Sequence, residues 1–103
     1  MTRGEIRWYR FKPPDKKRPV LILNRSSVIE YLGEVTVAPI TSTVRDIPSE
    51  VFLSRAEGMP KDCAANFDHI QTVPKHKIGS LITRLPVAKN AATVKAITFA
   101  MDL

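Results

Sequence analysis

Residues 16–23 read Lys16-Lys17-Arg18-Pro19-Val20-Leu21-Ile22-Leu23: cations, a proline, then an unbroken aliphatic run. The run is far shorter than the roughly 18 residues of a membrane span, and it predicts a strand over Pro19–Leu23 buried on both faces. On its N-terminal side, Glu5–Phe11 alternates, with Ile6 and Trp8 on one side and Arg7 and Tyr9 on the other, which predicts a second strand. The intervening Lys12-Pro13-Pro14-Asp15-Lys16-Lys17 has two residues without an amide donor and then charges, so it reads as a loop. Downstream, Asn24–Leu32 reads as loop, and Glu34–Ile40, Glu50–Leu53, Cys63–Phe67 and Ile78–Leu85 read as further short strands. Gly58-Met59-Pro60-Lys61-Asp62 marks a turn. Pro86–Leu103 has no internal proline or glycine; Val87, Ala91, Val94, Ile97 and Met101 give it an apolar stripe at helical spacing. Lys89 and Lys95 fall outside that stripe, which would lie on the strands or on a second subunit. These elements predict a mostly β fold, a small antiparallel β-barrel with a C-terminal α-helix, in one domain spanning 1–103.

The chain has 103 residues, with 16 Lys plus Arg against 10 Asp plus Glu, a formal net charge of +6. Residues 1–25 contain eight of the cations and two of the acids, so the whole excess lies in the first quarter of the chain. That concentration points to a polyanionic partner, of which nucleic acid is the commonest; a solvated face that keeps the protein soluble is the alternative. One cysteine, Cys63, cannot form an internal disulfide, and with two histidines it is a poor ligand set for structural zinc. Arg7 and Arg10 interrupt the early apolar segment, so neither a secretory leader nor a membrane partner is expected, and the setting is expected to be reducing and cytoplasmic. No G-x-S-x-G, P-loop, H-E-x-x-H or paired-cysteine motif occurs, which removes most of the weight from serine hydrolases, nucleoside triphosphatases and zinc enzymes.

Three constellations could carry chemistry. Lys16-Lys17-Arg18 stands at a loop end, and Arg18 is anchored by the proline and buried strand beside it; its planar fork suits two phosphoryl oxygens. The alternative is that these cations only guard an apolar strand against aggregation. Thr41-Ser42-Thr43 closes the Glu34–Ile40 strand with hydroxyls that could donate to phosphate oxygens, or that merely suit a turn. Asn66-Phe67-Asp68-His69-Ile70-Gln71-Thr72 could read, stack or protonate a base; it could equally be a turn in which Phe67 and Ile70 are core and Asp68 is a cap. His76, between two lysines, reads as part of a solvated run, Cys63 as a small core residue, and Trp8 and Tyr9 as core and rim or as stacking platforms.

Taken together, these segments resemble the MazF/PemK family of toxin endoribonucleases. The matching residues are Arg3-Gly4-Glu5-Ile6-Arg7-Trp8, Arg18-Pro19-Val20-Leu21-Ile22, Ala38-Pro39-Ile40-Thr41-Ser42, Asp62 through Thr72, Ile78-Gly79 and the terminal helix, in order along essentially the whole chain. The resemblance implies an SH3-like barrel that forms a homodimer, cleaves single-stranded RNA at a short preferred sequence without a metal or cofactor, and is neutralised by an antitoxin with an acidic, flexible tail. It places the catalytic residues on Arg18 and Thr41, and RNA binding on Lys16, Lys17, Ser42, Asn66, Asp68 and His69. Two departures matter: the loop before Arg18 is compact and lacks histidine, and Asn66 stands where some relatives have a basic residue. The reaction that fits these groups is in-line attack by the RNA 2′-OH, with Arg18 and Thr41 on the developing charge and His69 either stacking on or bonding to a base or supplying a proton-transfer group near neutrality. A non-catalytic binding barrel, and a gyrase-poisoning toxin of the same fold, are the alternatives.

Overall fold

Because side chains alternate along a strand, Leu21 must face one way and Val20 and Ile22 the other. The computed structural model, which describes residues 1–13 and 16–103, buries all three. The chain forms β1 (Glu5–Arg10), β2 (Lys17–Ile22), a one-turn helix α1 (Ser26–Ile29), β3 (Glu34–Thr41), β4 (Glu50–Leu53), β5 (Cys63–Asn66), β6 (Gln71–Pro74), β7 (Ile78–Arg84) and α2 (Asn90–Met101). Strand order is β4-β5-β3-β2-β1-β7, with β6 also paired to β3, and every pairing is antiparallel. The mostly antiparallel β architecture with a C-terminal helix is therefore as expected. The sheet is nonetheless not a closed barrel: β4 and β7 are the two ends of its hydrogen-bonded path.

Two cores lie on opposite faces. Ile6, Leu21, Ala38, Ile40, Leu53 and Phe67 belong to one. Tyr9, Val20, Ile22, Val35, Val37 and Val73 belong to the other. Fully burying each large aliphatic or aromatic group contributes about 1.5–3 kcal/mol. On β1 it is Tyr9, 8% exposed, that enters the second core, while Trp8 stays half-buried at the rim of the first face. Alternation alone set these two residues on opposite sides without saying which was covered.

Several predicted loops and ends differ. Of the predicted loop 12–17, Pro14 and Asp15 lie outside the described residues, and Lys17 already belongs to β2. Within Asn24–Leu32 the chain makes the turn of α1, which buries Ile29. Lys75 Nζ donates to the carbonyls of Ile29 (3.0 Å) and Glu30 (3.3 Å), so Lys75 is a tether rather than a solvated charge. β6, which the sequence reading did not single out as a strand, pairs Val35 with Val73.

Helix α2 follows a short turn, Val87–Lys89, and packs on β4 and on the Phe67–His69 turn. Its covered side is Ala96, Ile97 and Ala100. Of the predicted stripe only Ile97 packs on the core; Val87, Val94 and Met101 are 84%, 63% and 45% exposed. The close approach of helix to sheet accepts alanines, so the larger residues point away.

The Arg55–Glu57 turn positions Met59–Lys61. Ser54 and Glu57 form a capping box, with Ser54 N donating to Glu57 Oε1 at 2.7 Å and Ala56 N to Ser54 Oγ at 3.2 Å. Gly58 ends the turn at φ 92°, and a Cβ there would collide with Thr83, whose hydroxyl donates to Glu57 O at 3.0 Å. A side chain in the left-handed region costs about 1–2 kcal/mol before any clash. We expect Gly58→Ala to lower the melting temperature by roughly 10 °C, read by circular dichroism.

Candidate nucleic-acid interface

The predicted catalytic pair is set by strand register. β2 pairs with β3 as Val20↔Pro39 and Leu21↔Ala38. Continuing that register puts Pro19 opposite Ile40 and Arg18 opposite Thr41, with both pairs still inside the strands. On the other side of β2, Tyr9 faces Arg18 and Trp8 faces Pro19. Tyr9, Arg18 and Thr41 thus form one cross-strand row, and Trp8, Pro19 and Ile40 form the next. Adjacent rows face opposite sides of the sheet.

Each row opens into a cavity. Beyond the Arg18–Thr41 end of the first row, a cavity of about 310 Å³ is lined by Arg18, Thr41, Arg45, Asn66, His69 and Gln71, with Phe11, Pro39 and Ile40 against it. Arg18 and Thr41 share this space, as do Asn66 and His69. The Thr41 hydroxyl accepts a hydrogen bond from the amide of Thr43 at 3.1 Å, which leaves its own proton free to donate outward. Phe11 meets Tyr9 edge-to-face, with ring centroids 4.8 Å apart.

On the Trp8 side, a cavity of about 460 Å³ has Lys16, Lys17, Arg18, Ser42 and Lys61 around Trp8, over a floor of Pro19, Ile40, Met59 and Cys63. Arg18, exposed at the start of β2, therefore lines both cavities, as does Ile40. Burial, with Asp62 adjacent, pushes the Cys63 thiol up, so it remains a neutral group in the cavity wall.

Asp68 is the predicted site residue that lines neither cavity. Its carboxylate accepts the Ser49 hydroxyl at 2.5 Å, and its amide donates to Asn66 Oδ1 at 2.9 Å. Asn66, not Asp68, is the cap of this turn. Ser49 is distant in sequence and itself buried, so only the fold reveals that it claims the carboxylate.

Arg45 is a lining residue that the sequence reading missed. Its guanidinium lies 3.7 Å from the carboxylate of Glu50, and its amide donates to the same group at 2.9 Å. A lone arginine in a polar stretch carried no pattern to single it out. The N-terminal cations also divide. Arg3 donates to Leu23 O at 2.9 Å, and Arg7 pairs with Glu5 at 2.7 Å and reaches Gly79 O at 3.0 Å. Burial alone would push the Glu5 carboxyl up, but the hydrogen bond and charge of Arg7, with Thr2, hold it below its usual range. Arg3 and Arg7 thus serve the fold, while Lys16, Lys17 and Arg18 face the cavities.

Comparison with known proteins adds an independent line. The family model described as "PemK-like, MazF-like toxin of type II toxin-antitoxin system" matches residues 2–100. The chain is 42% identical over 89 residues to a Mycobacterium tuberculosis protein named endoribonuclease MazF3, with 86% of each chain covered. It is similar to the solved structure of Mycobacterium tuberculosis toxin MazF-mt6, with a TM-score of 0.89 and 38% identity over 96% of this chain and 97% of that one. An endoribonuclease solved in complex with its cognate antitoxin, from a mycobacterial species, shares the fold at a TM-score of 0.87, with 21% identity over 100% of this chain and 96% of that one.

Proposed function

Because the chain belongs to the family of PemK-like, MazF-like toxins of type II toxin–antitoxin systems, we propose that it is an endoribonuclease that cleaves single-stranded RNA at the Arg18–Thr41 row. The observation that supports this reading is that Arg18 and Thr41, brought opposite each other when the β2–β3 register is extended by two residues, line one cavity with amides and an imidazole. RNA supplies its own nucleophile, the 2′-OH next to the scissile phosphate. In-line attack forms the O–P bond to that oxygen as its proton passes to water, goes through a phosphorane-like dianion, and breaks the bond to the 5′ oxygen, which takes up a proton from water. The products are a 2′,3′-cyclic phosphate and a 5′-OH end. Arg18 engages two non-bridging oxygens, and Thr41 donates to the same group; each well-placed donor is worth roughly 3–4 kcal/mol in the transition state.

Lys16 and Lys17 hold flanking phosphates, and Ser42 donates beside them. Asn66 and His69 contact base edges in the Arg18–Thr41 cavity, joined by Arg45 and Gln71, while Asp68 acts at one remove by fixing the turn that carries His69. Cys63, neutral and walled in, is not the nucleophile. The chemistry asks for no metal. Incubation with a defined RNA in excess EDTA should therefore leave cleavage intact and yield cyclic phosphate ends by mass spectrometry. A strict metal requirement, or 5′-phosphate products, would overturn the mechanism.

The natural regulator is an antitoxin with an acidic, flexible segment, whose charge complements Lys16, Lys17, Arg18 and Lys61 around the cavities. The setting is the cytoplasm; among the described residues no helix is long and apolar enough to cross a membrane. A second copy of the chain is the partner for the uncovered side of α2, where Val94, Phe99 and Met101 are 63%, 59% and 45% exposed. Sedimentation should give twice the chain mass, and Phe99→Glu should shift it toward the monomer.

A further inference from the structure

We propose that Trp8 is a stacking platform for one nucleobase adjacent to the scissile phosphate, taken by shape and not by sequence. The inference rests on the RNA-cleaving reading above and deepens it by separating the duties of the two cavities. A strand crossing Arg18 with its phosphate on the guanidinium has one neighbouring nucleoside on the Thr41 side and the other on the Trp8 side.

The two sides differ in chemistry. The Thr41 side offers Asn66, Gln71 and His69, groups that donate and accept in fixed directions and can distinguish base edges. The Trp8 side offers an aromatic ring over an apolar floor of Pro19, Ile40 and Met59, with cations at its rim, and Ser42 as its hydroxyl. That set fits a flat apolar ring bearing a phosphate, and it reads almost nothing of the ring's edge. A volume of about 460 Å³ lies within the range of small-molecule sites, about 300–1,000 Å³.

Lys17 supplies a second observation. The ammonium of Lys17, an exposed residue, lies 5.1 Å from the centroid of the Trp8 ring, a cation–π contact. Ring and ammonium both line the cavity, so a base entering it competes with the ammonium for the ring. A base can take the place of the ammonium, which is then released to pair with a phosphate oxygen of the same nucleotide. Trp8 and Lys17 would exchange an internal contact for two contacts with RNA.

Trp8 is the sole tryptophan of the chain, so its fluorescence reports this cavity without labelling. The probe is a single-stranded RNA of mapped cleavage sequence, made uncleavable by 2′-O-methyl groups, titrated into the wild-type protein. An otherwise identical strand carrying abasic residues on both sides of the scissile phosphate serves as the charge control. We expect saturable quenching by the first strand and little by the second. Trp8→Ala should raise KM on cleavable RNA roughly ten-fold or more, with the cleavage-site preference unchanged, and Trp8→Phe should recover much of that loss. Equal quenching by the abasic strand, no quenching while the strand binds, or a changed site preference in Trp8→Phe would each overturn the proposal. The parent reading is tested apart from it: RNA cut at a mapped site without quenching by that strand sinks only the platform, whereas failure to cut any RNA sinks the nuclease reading and the platform with it.

Discussion

Arg18→Ala should lower kcat/KM for RNA cleavage about 10³-fold while leaving the thermal melt within a degree or two of wild type. Removing one donor from a transition-state site costs about 10²–10³-fold, and Arg18 offers two N–H groups and a full charge to one phosphoryl group. The fold should not notice the change, because Arg18 is exposed at the first turn of β2, and the residues that hold the strand are Val20, Leu21 and Ile22. Arg18→Lys keeps the charge but loses the planar fork, and should fall between the two. A fluorogenic oligonucleotide assay with circular dichroism on the same samples checks both halves. Wild-type speed in Arg18→Ala would remove the central residue of the mechanism.

Thr41→Val should reduce kcat about 10²-fold, with KM nearly unchanged. The substitution preserves volume and β-propensity and deletes only the hydroxyl, which accepts from Thr43 N and is free to donate into the cavity. Its contribution belongs to the transition state because the charge it meets appears there. Thr41→Ser, which keeps the hydroxyl, should retain most of the rate. A loss in Val that Ser fails to rescue would assign Thr41 to packing.

The sequence reading located the parts with strong local signals. Val20-Leu21-Ile22 could only be buried on both sides, and Glu50–Leu53 was recovered to the residue. β6 was lost because Gln71-Thr72-Val73-Pro74 holds one apolar residue that enters a core and ends in proline. The helix face was misphased because the buried side is built from Ala96 and Ala100, which a hydrophobicity pattern barely weighs against Val94 and Phe99. At the site, Lys16, Lys17, Arg18, Thr41, Ser42, Asn66 and His69 do line the cavities. The Ser49–Asp68 bond and the place of Arg45 depend on a chain reversal that no spacing announces.

Arg18 and Thr41 stand on neighbouring strands, two residues beyond the paired stretch of Val20–Ile22 with Val37–Pro39, which has packed interior on both faces. Their separation is a lattice spacing of the sheet, not the outcome of a hinge or a closing flap. On the proposed mechanism, such a pair needs no rearrangement beyond folding itself. Silencing a molecule of this kind is a matter of shielding it rather than loosening it, and the shield must be in place from the moment the chain folds.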